Sequence, residues 1–348
     1  MKGRLPPEAF MIPVERIREG YYTDQYFNRT RDILERDGNN ARVLMQVFAR
    51  RQGLLCGIDQ AIGILQRCAD HSRDLTIHAL HDGDRISRNE TVLTIEGMYA
   101  VFAHLETVYL GVLARGTSIA SSVHEVVDAA RGRTVFFFAS RFDHYLVQSF
   151  DGYAAHIGGA HGVSTDANGE LFGQPGIGTI PHGLIAAYGG DTLEACKAFV
   201  RHMSGDVELI ALVDFNNDCV GTSLQVARHF GRTLWGVRLD TAGDIRDVSV
   251  TGREPDSYGV CPELVFRVRE ALDREGFTWV RIVVSGGFNR QKLERFIELG
   301  VPFDAVGVGS AFYRSRIDFT ADVVMVNGKT CAKKGRTLRP NDRLEKVQ

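Results

Sequence analysis

The sequence predicts an α/β protein with a parallel sheet, and three features of its pattern lead to that class. Beyond residue 130, short apolar runs alternate with helical patterns, and strands that alternate with helices favour a parallel sheet, open or closed into a barrel. Before residue 130, apolar and polar residues alternate around the turn Asp82-Gly83-Asp84, which is typical of paired strands. The 348 residues are enough for about two domains at roughly 150 residues each, or for one barrel plus an appendage.

The N-terminal part mixes helices and strands. A helix is predicted to open at Thr23-Asp24, and a run of apolar and β-branched residues predicts the first strand. The predicted elements, in order, are a helix at 23–36, a strand at 41–48, a helix at 57–69, paired strands with tight turns at 75–97, and a helical stretch at 99–129.

The rest of the chain repeats strand, loop and helix. Strands are predicted at 134–138, 207–213, 233–239, 279–284 and 304–308. Helices are predicted between them at 191–203, 218–230, 261–275 and 290–299. The first of these helices has Asp191 as its expected cap, with Glu194 three residues later, as in a capping box.

Composition excludes several classes of protein. The formal net charge of -2 leaves no excess of cations for binding a nucleic acid through bulk charge. No apolar run approaches the ~18 residues that span a bilayer, so no membrane partner is expected. The N-terminus has no secretory apolar stretch, and the six cysteines form no Cys-x-x-Cys pair, so a reducing cytoplasm is predicted. His156 and His161 lack a third ligand at metal-binding spacing, so no zinc is expected.

Polar residues and glycines follow the predicted strands of the second half. In α/β barrels the carboxyl ends of the strands share one face, which carries the ligand. Glycine turns before helices present backbone N–H groups to phosphate, and carboxylates can hold a divalent metal or ribose hydroxyls. These residues therefore predict one polyanion site, formed by Ser140-Arg141, Asp214, Asp240-Thr241, Ser285-Gly286-Gly287 and Gly309-Ser310.

Each of these residues also has a structural interpretation. An aspartate after a strand can be a helix N-cap, a Gly-Gly turn can be only a tight connection, and Arg141 can pair with a surface carboxylate. Their positions on different strands but one face favour the functional interpretation.

Several motifs, taken together and in order, resemble those of the nicotinate phosphoribosyltransferase family, which has the type II phosphoribosyltransferase fold. The resemblance covers nearly the whole chain, and its motifs are Thr23–Phe27, Asp82–Asp84 with Ile95–Gly97, Phe138–Arg141, Gly158–Thr165, Gly178–His182, Arg238–Thr241, Ser285–Gly287 and Gly307–Ser310.

The resemblance implies an N-terminal α+β domain at 1–130, joined by a returning segment at 318–348, and an incomplete α/β barrel at 131–317. It implies a homodimer or a higher homo-oligomer whose subunits share active sites. The implied reaction joins nicotinate to 5-phosphoribosyl-1-pyrophosphate in NAD salvage, giving nicotinate mononucleotide and pyrophosphate. Mg²⁺ is required in the family. ATP is often a co-substrate, and its hydrolysis is coupled to the transfer.

The resemblance also assigns roles to residues. Arg141 and Arg238 would lie near the pyridine carboxylate or the phosphates, and a guanidinium suits either anion. Phe138 and Tyr26, the latter from the other subunit, would enclose the pyridine ring, although an aromatic residue that ends a strand is usually core. Asp214 and Asp240 would hold the ribose or Mg²⁺. The remaining substrate-binding residues would be Thr179, Ser285, Gly286, Gly287, Gly307, Gly309, Ser310 and Lys333, where Lys333 and Lys334 can equally be a solvated basic tail.

His182 matches a histidine that ATP phosphorylates in the family, which drives the reaction toward product. The alternative is that His182 only donates a hydrogen bond to pyrophosphate. Pro181 departs from the usual family motif, and this departure bears on ATP coupling more than on transfer.

Ser164 aligns with the aspartate of relatives that use nicotinamide. A serine hydroxyl can donate to a carboxylate, whereas an aspartate would repel it, so Ser164 favours nicotinate. Quinolinate enzymes carry a His-Arg pair that this sequence lacks, which leaves the decarboxylating reaction as the runner-up. More distant alternatives are a phosphate-binding barrel lyase, which would need a lysine or a base on a strand end, and a non-catalytic nucleotide sensor.

Overall fold

The computed structural model describes residues 3–203, 207–252 and 257–348, which form two compact units. The first unit contains residues 3–122, 153–158 and 315–348. The second contains the described residues within 123–152 and 159–314.

The predicted strands lie close to their expected positions, and five further strands were not predicted. The strands are β1 (Arg42–Ala49), β2 (Gly53–Leu54), β3 (Thr76–Ala79), β4 (Arg85–Ile86), β5 (Thr91–Met98), β6 (Thr134–Phe137), β7 (Gly162–Val163), β8 (Leu209–Leu212), β9 (Leu234–Leu239), β10 (Arg281–Val284), β11 (Ala305–Val308), β12 (Phe319–Val326), β13 (Lys329–Thr330) and β14 (Glu345–Lys346). Those that were not predicted are β2, β7, β12, β13 and β14.

The α-helices also agree with the predicted segments and add several that no pattern indicated. They are α1 (Val14–Arg18), α2 (Gln25–Arg36), α3 (Ile58–Cys68), α4 (Tyr99–Phe102), α5 (Glu106–Ala129), α6 (Gln148–Ile157), α7 (Asp166–Gly169), α8 (His182–Ala187), α9 (Thr192–Met203), α10 (Cys219–Phe230), α11 (Pro262–Arg274) and α12 (Arg290–Glu298).

The first unit is built on an antiparallel sheet to which both ends of the chain contribute. In the described residues its strand order is β13-β12-β1-β5-β3-β14. β1 lies inside this sheet, where Gln46 is paired with Asp322 of β12 on one side and with Thr94 of β5 on the other. Its apolar residues, such as Met45, Val47 and Phe48, are buried, which explains why a run of apolar residues predicted it.

The turn at Asp82-Gly83-Asp84 does not join two strands that pair directly with each other. β3 pairs with β5, whereas β4 pairs with β2. The buried Asp82 carboxylate instead accepts a hydrogen bond from the Ile58 N–H at the start of α3 (2.9 Å) and another from the Tyr153 hydroxyl (3.1 Å). The turn therefore supports the first turn of α3, which satisfies a backbone donor that the helix itself leaves free.

The second unit is built on a parallel sheet, which confirms the predicted α/β class. In the part of the chain that the structure describes, its strand order is β7-β6-β11-β10-β9-β8. All of these neighbours pair in parallel, and no described strand joins β7 to β8. The sheet curls into half of a barrel. Because neighbouring strands end at the same level, their carboxyl ends lie together on one face of the sheet.

Side-chain caps fix where α9, α10 and α12 of the second unit begin. Asp191 accepts from the Glu194 N–H (3.0 Å) at the start of α9, as the capping-box spacing predicted. Asp218 accepts from the Gly221 N–H (2.8 Å) in α10, and Asn289 accepts from the Lys292 N–H (2.9 Å) in α12. Each cap satisfies one of the orphan N–H groups of a first turn.

No helix in the described residues has both the length and the apolar character needed to cross a bilayer.

One histidine is buried in the first unit without a hydrogen-bond partner. His104, in the turn between α4 and α5, has no exposed surface, and neither ring nitrogen has a partner within the described structure. Burial, with a smaller contribution from Arg31, lowers the pKa of His104 from its ordinary 6.5 to about 4. The imidazole is therefore neutral in the folded chain, since its charged form would lack solvation.

We predict that His104 makes the first unit sensitive to acid. The unfolded chain takes up a proton at this residue below its ordinary pKa of 6.5, whereas the folded chain does so only near 4. The free energy of unfolding is therefore unaffected by His104 above pH 6.5. It declines as the pH falls below this value, by about 2 kcal/mol at pH 5. In urea titrations, His104→Leu should remove this part of the pH dependence, and His202→Gln, at an exposed position of α9, should not. An equal pH dependence in all three proteins would contradict the prediction.

Candidate active site

A pocket of about 600 Å³ lies at the carboxyl ends of the parallel strands of the second unit. Its walls come from the segments that follow β6, β7, β9, β10 and β11, and from the loop that leads into α8. The predicted residues that line it are Phe138, Arg141, Ser164, Thr179, His182, Arg238, Asp240, Ser285, Gly286, Gly287, Gly307, Gly309 and Ser310.

The turn after β10 can form only because two glycines follow Ser285. Gly286 and Gly287 both have positive φ values, +81° and +72°. A Cβ on Gly286 would lie 3.2 Å from the Thr241 carbonyl oxygen, whereas a Cβ on Gly287 would meet nothing within 4 Å. The turn is thus packed against the segment after β9 on one side and open on the other, which suits close approach of a ligand to the backbone.

Phe138 forms an aromatic wall of the pocket and is not a core residue. Its ring is only partly buried and stacks on Phe136, with the ring centroids 5.7 Å apart. A Cβ on Gly307 would come within 2.3 Å of the Phe138 ring, so the glycine makes room for this ring position. Gly307 therefore acts on the pocket by placing Phe138.

Two arginines bring positive charge to the pocket without a carboxylate partner. In the described residues, no Asp or Glu oxygen lies within 4 Å of the guanidinium of Arg141 or Arg238. Arg141 is exposed, with its guanidinium 5.3 Å from the Phe142 ring centroid. Burial lowers the pKa of Arg238. The charges of Asp240 and Asp214 raise this pKa, and the charge of Arg141 lowers it. A site with two unpaired guanidiniums favours a bound anion.

Asp240 is held by the turn after β10 and does not cap a helix. Its Oδ1 accepts a hydrogen bond from the Ser285 hydroxyl at 2.8 Å, and α11 begins only at Pro262. The N-cap interpretation of this aspartate is therefore wrong, and its second oxygen is left for other partners.

Asp214 contacts His182, and it does not cap α10 either. The His182 Nε2 and the Asp214 Oδ2 are 3.0 Å apart, and the cap of α10 is Asp218. The side chain of His182 is 45% exposed and that of Asp214 only 6%. Burial raises the pKa of Asp214, the His182 imidazole lowers it, and Asp240 raises it. A buried carboxylate thus orients an imidazole that is open to solvent.

A network of hydroxyl and amide groups supports Ser164 at the pocket wall. The Ser164 and Ser140 hydroxyls are 2.7 Å apart, and Ser140 also contacts the buried Asn168. The Asn168 amide donates to the Gln148 carbonyl at 2.8 Å. This network fixes the position of Ser164, because its members are restrained from several sides.

Three buried polar atoms around the pocket have no hydrogen-bond partner among the residues that the structure describes. They are Thr179 Oγ1, Asp214 Oδ1 and Arg238 Nε. Unpartnered polar atoms are rare in folded proteins because each costs roughly 1–3 kcal/mol. Their presence beside one pocket points to ligand groups or ordered waters as their partners.

Two carboxylates suit a magnesium ion here. Mg²⁺ is often bound by one or two carboxylates together with waters and substrate phosphates. The unpartnered Asp214 Oδ1 and the nearby Asp240 offer such oxygens. The described ranges hold no group of three or more His, Cys, Asp or Glu side chains placed to bind a metal ion together.

Two predicted site residues belong to the first unit, so the structure does not place them at this pocket. Tyr26 lies on α2 and is 59% exposed, and Lys333 is an exposed residue of the segment after β13. Their roles remain predictions.

Some residues of the pocket were not singled out from the sequence. Phe142, Ile177, Gly183 and Phe288 line it as well. Phe142, Gly183 and Phe288 directly follow recognised motifs, which is a usable signal. Asn168 supports the pocket wall from a short helix, and no pattern pointed to it.

Comparisons with known proteins agree with this geometry. The family model of the quinolinate phosphoribosyl transferase N-terminal domain matches residues 24–117. A nicotinate phosphoribosyltransferase from Mycobacterium tuberculosis is 30% identical over 251 residues, which are 70% of this chain and 51% of that protein. The nicotinate phosphoribosyltransferase of Bacillus subtilis is 23% identical over 323 residues, 83% of this chain and 62% of that protein. The chain thus spans about half to three fifths of the length of these relatives.

Solved structures extend the likeness to the fold of almost the whole chain. The nicotinate-nucleotide pyrophosphorylase from Pyrococcus furiosus is 32% identical with a TM-score of 0.82, covering 94% of this chain and 81% of that one. Human nicotinic acid phosphoribosyltransferase is 18% identical with a TM-score of 0.66, covering 89% and 75%, and it shares the fold. On the identity and coverage of the Pyrococcus furiosus structure, together with the similarity to the Mycobacterium tuberculosis enzyme, the chain belongs to the nicotinate phosphoribosyltransferase family of the type II phosphoribosyltransferase fold.

Proposed function

We propose that this chain transfers the phosphoribosyl group of 5-phosphoribosyl-1-pyrophosphate to nicotinate in NAD salvage, releasing pyrophosphate. The observation that carries the proposal is the pocket itself. It combines the aromatic ring of Phe138 and two unpaired guanidiniums with the open Gly286-Gly287 turn. A planar anionic ring and a phosphorylated sugar need these three features.

The chemistry asks for positioning and charge more than for a nucleophile. Loss of pyrophosphate from the ribose C1 gives an oxocarbenium-like transition state, and the pyridine nitrogen attacks this carbon. The protein must hold the ring in line and stabilise the departing negative charge. Arg141 and Arg238 supply positive charge for the pyridine carboxylate and the phosphates, and the ring of Phe138 offers a face for the pyridine.

Asp214 and Asp240 are the proposed ligands of Mg²⁺. When bound there, the ion would neutralise charge on the pyrophosphate as it leaves. Asp240 also keeps its hydrogen bond from Ser285, so the carboxylate and the glycine turn are positioned together.

Ser164 supports nicotinate as the pyridine. Its hydroxyl lies at the pocket wall and can donate to a carboxylate, while the Ser140 hydroxyl at 2.7 Å holds it in place. Both curated relatives described above are named nicotinate phosphoribosyltransferases, which supports the same substrate. Nicotinamide, which lacks the carboxylate, would gain less from the two arginines.

Quinolinate, with decarboxylation, is the second candidate. It is favoured by the family model of quinolinate phosphoribosyl transferases, which matches residues 24–117. Its second carboxylate would need additional cationic groups. The two guanidiniums at the pocket are enough for one carboxylate and one phosphate, so we place nicotinate first.

ATP coupling through His182 extends the proposal. The imidazole is open to solvent, lines the pocket and is oriented by Asp214 at 3.0 Å. A neutral imidazole in this setting is a competent nucleophile toward a phosphoryl group.

We further propose a homodimer or higher homo-oligomer in the cytoplasm, in which Tyr26 and Lys333 reach an active site. Exposed aromatic and aliphatic side chains on α2 and just before it support an interface there, namely Tyr21, Tyr22, Tyr26 and Ile33.

Pyrophosphate release by the purified protein tests the proposal. The protein is given phosphoribosyl pyrophosphate and Mg²⁺, with nicotinate, nicotinamide or quinolinate, each with and without ATP. We expect turnover with nicotinate above the other two. A preference for nicotinamide would sink the Ser164 argument, and a preference for quinolinate with release of CO₂ would establish the second candidate. No turnover with any of them would favour a nucleotide sensor or a barrel lyase.

Arg238 should serve substrate binding at the expense of stability. We predict that Arg238→Met lowers kcat/KM by about 10–100-fold, because a bound anion loses its charged partner. The free energy of unfolding should stay equal or rise, since Met removes a desolvated, unpaired charge. Arg228→Met, at an exposed arginine paired with Glu275, is the control and should leave kcat/KM unchanged. Lost stability with intact kcat/KM would make Arg238 a structural residue.

His182 should carry the effect of ATP and not the transfer itself. We predict that His182→Ala removes ATP stimulation and the acid-labile phosphoenzyme formed from labelled ATP, and keeps a basal rate of transfer. Asp218→Ala is the neighbouring control, because it removes the cap of α10. It should cost about 1 kcal/mol of stability and preserve the ratio of rates with and without ATP. Equal loss of basal and stimulated rates in His182→Ala would instead make His182 a pyrophosphate ligand.

A further inference from the structure

Lys292 contacts the glycine turn of the active-site pocket from behind. It is the third residue of α12, and its Nζ donates to the Gly286 carbonyl at 3.3 Å. The same ammonium lies 4.3 Å from the centroid of the Phe288 ring. Gly286, Gly287 and Phe288 all line the pocket, whereas Lys292 does not.

Three features make a positive charge at this position unfavourable in the unliganded protein. Desolvation by burial lowers the pKa of Lys292 to about 8. The first turn of a helix carries partial positive charge, which disfavours a cation there. In the described part of the chain, no carboxylate oxygen lies within 4 Å of its Nζ. The rings of Phe288 and Phe296 compensate this only in part.

An anion bound at the Gly286-Gly287 turn would balance this charge. The carbonyl and N–H of one peptide unit point in opposite directions, so a Gly286 carbonyl held by Lys292 turns the Gly287 N–H away from α12. A Cβ on Gly287 would meet no atom within 4 Å, so a ligand can approach the backbone at this residue. The free N–H and the nearby ammonium together suit a phosphate dianion.

We propose that Lys292 is a positioning residue for a phosphate monoester, in that it holds the Gly286-Gly287 turn in its binding conformation and supplies the balancing charge. The proposal rests on the proposed function for its ligand, the 5-phosphate of a phosphoribosyl group. It concerns how the turn is held, which none of the recognised motifs addresses.

The charge of Lys292 should depend on ligand binding. A bound dianion stabilises the ammonium and raises its pKa from about 8, so binding takes up a proton near pH 8. The other groups nearby are the Cys261 thiol, which also raises the pKa of Lys292, and Asp240 across Gly286. On α12, Arg290 pairs with Glu294 and with Glu125 from α5, so these charges are already balanced.

Calorimetric binding of ribose 5-phosphate between pH 7 and 9.5 tests the proposal. The phosphate is a dianion over this range, because its second pKa is near 6. Titrations in two buffers of different ionisation enthalpy give the number of protons taken up. The variants are Lys292→Met and Lys292→Arg, with Lys197→Met as control, since Lys197 pairs with Glu194 on α9. Thermal unfolding of each variant shows that it is folded.

We expect wild type to bind more weakly as the pH rises past 8, with proton uptake that peaks near that pH. Lys292→Met should bind about tenfold more weakly at pH 7 and take up no proton. Lys292→Arg should retain affinity and lose the pH dependence, because arginine stays charged. Lys197→Met should behave as wild type.

Equal affinity and equal proton uptake in wild type and Lys292→Met would overturn the proposal, as would no binding of ribose 5-phosphate by wild type. The proposed function fails separately. Lys292-dependent binding without turnover of phosphoribosyl pyrophosphate would leave the phosphate site standing and remove the transferase.

Discussion

The matched register of the parallel strands is the constraint on which the candidate site depends. Leu212 of β8 is paired with Arg238, Val284 of β10 with Leu239, and Val308 of β11 with Phe137. Because these strands end at one level, the residues that follow them meet at one edge. A slip of β9 by a single residue would exchange the faces of Arg238 and Leu239, so the guanidinium would leave the pocket and an apolar side chain would take its place. The buried apolar strands thus hold the arginine in place.

The polar groups that can bind a ligand at this edge of the sheet lower the stability of the fold. Arg238 is desolvated without an ion pair, and Thr179 and Asp214 each keep a buried oxygen without a partner. The surrounding structure must offset these costs, and the cores beneath the edge, such as the stacked rings of Phe137 and Phe312, can do so. Gly287 has open space next to it, and Gly307 makes room for the ring of Phe138. Such unsatisfied groups are typical of sites that a ligand completes.

Much of the fold could be predicted because its strongest signals are local. Buried strands such as β9 are short apolar runs, and α9 begins at a capping box, so their limits were predicted to within a few residues. The pairing of β4 with β2 could not be predicted, since two-residue strands carry almost no periodicity. Strand-end residues predicted the pocket because parallel topology brings such ends together. The unpaired state of Arg238, the contact of His182 with Asp214 and the position of Lys292 arise from tertiary packing, which no local pattern encodes.

Because β1 lies inside its sheet, it needs a neighbour, β12, that is synthesised much later than β1 itself. Gln46 leaves the ribosome early, but its partner Asp322 on β12 follows about 280 residues later. At roughly 5–20 residues per second, this interval lasts on the order of 15–60 s. During that time one edge of β1, rich in buried apolar residues, has no native neighbour and can pair with other nascent chains. A premature stop anywhere before β12 would make this exposure permanent, so truncated products should be clients of chaperones and proteases.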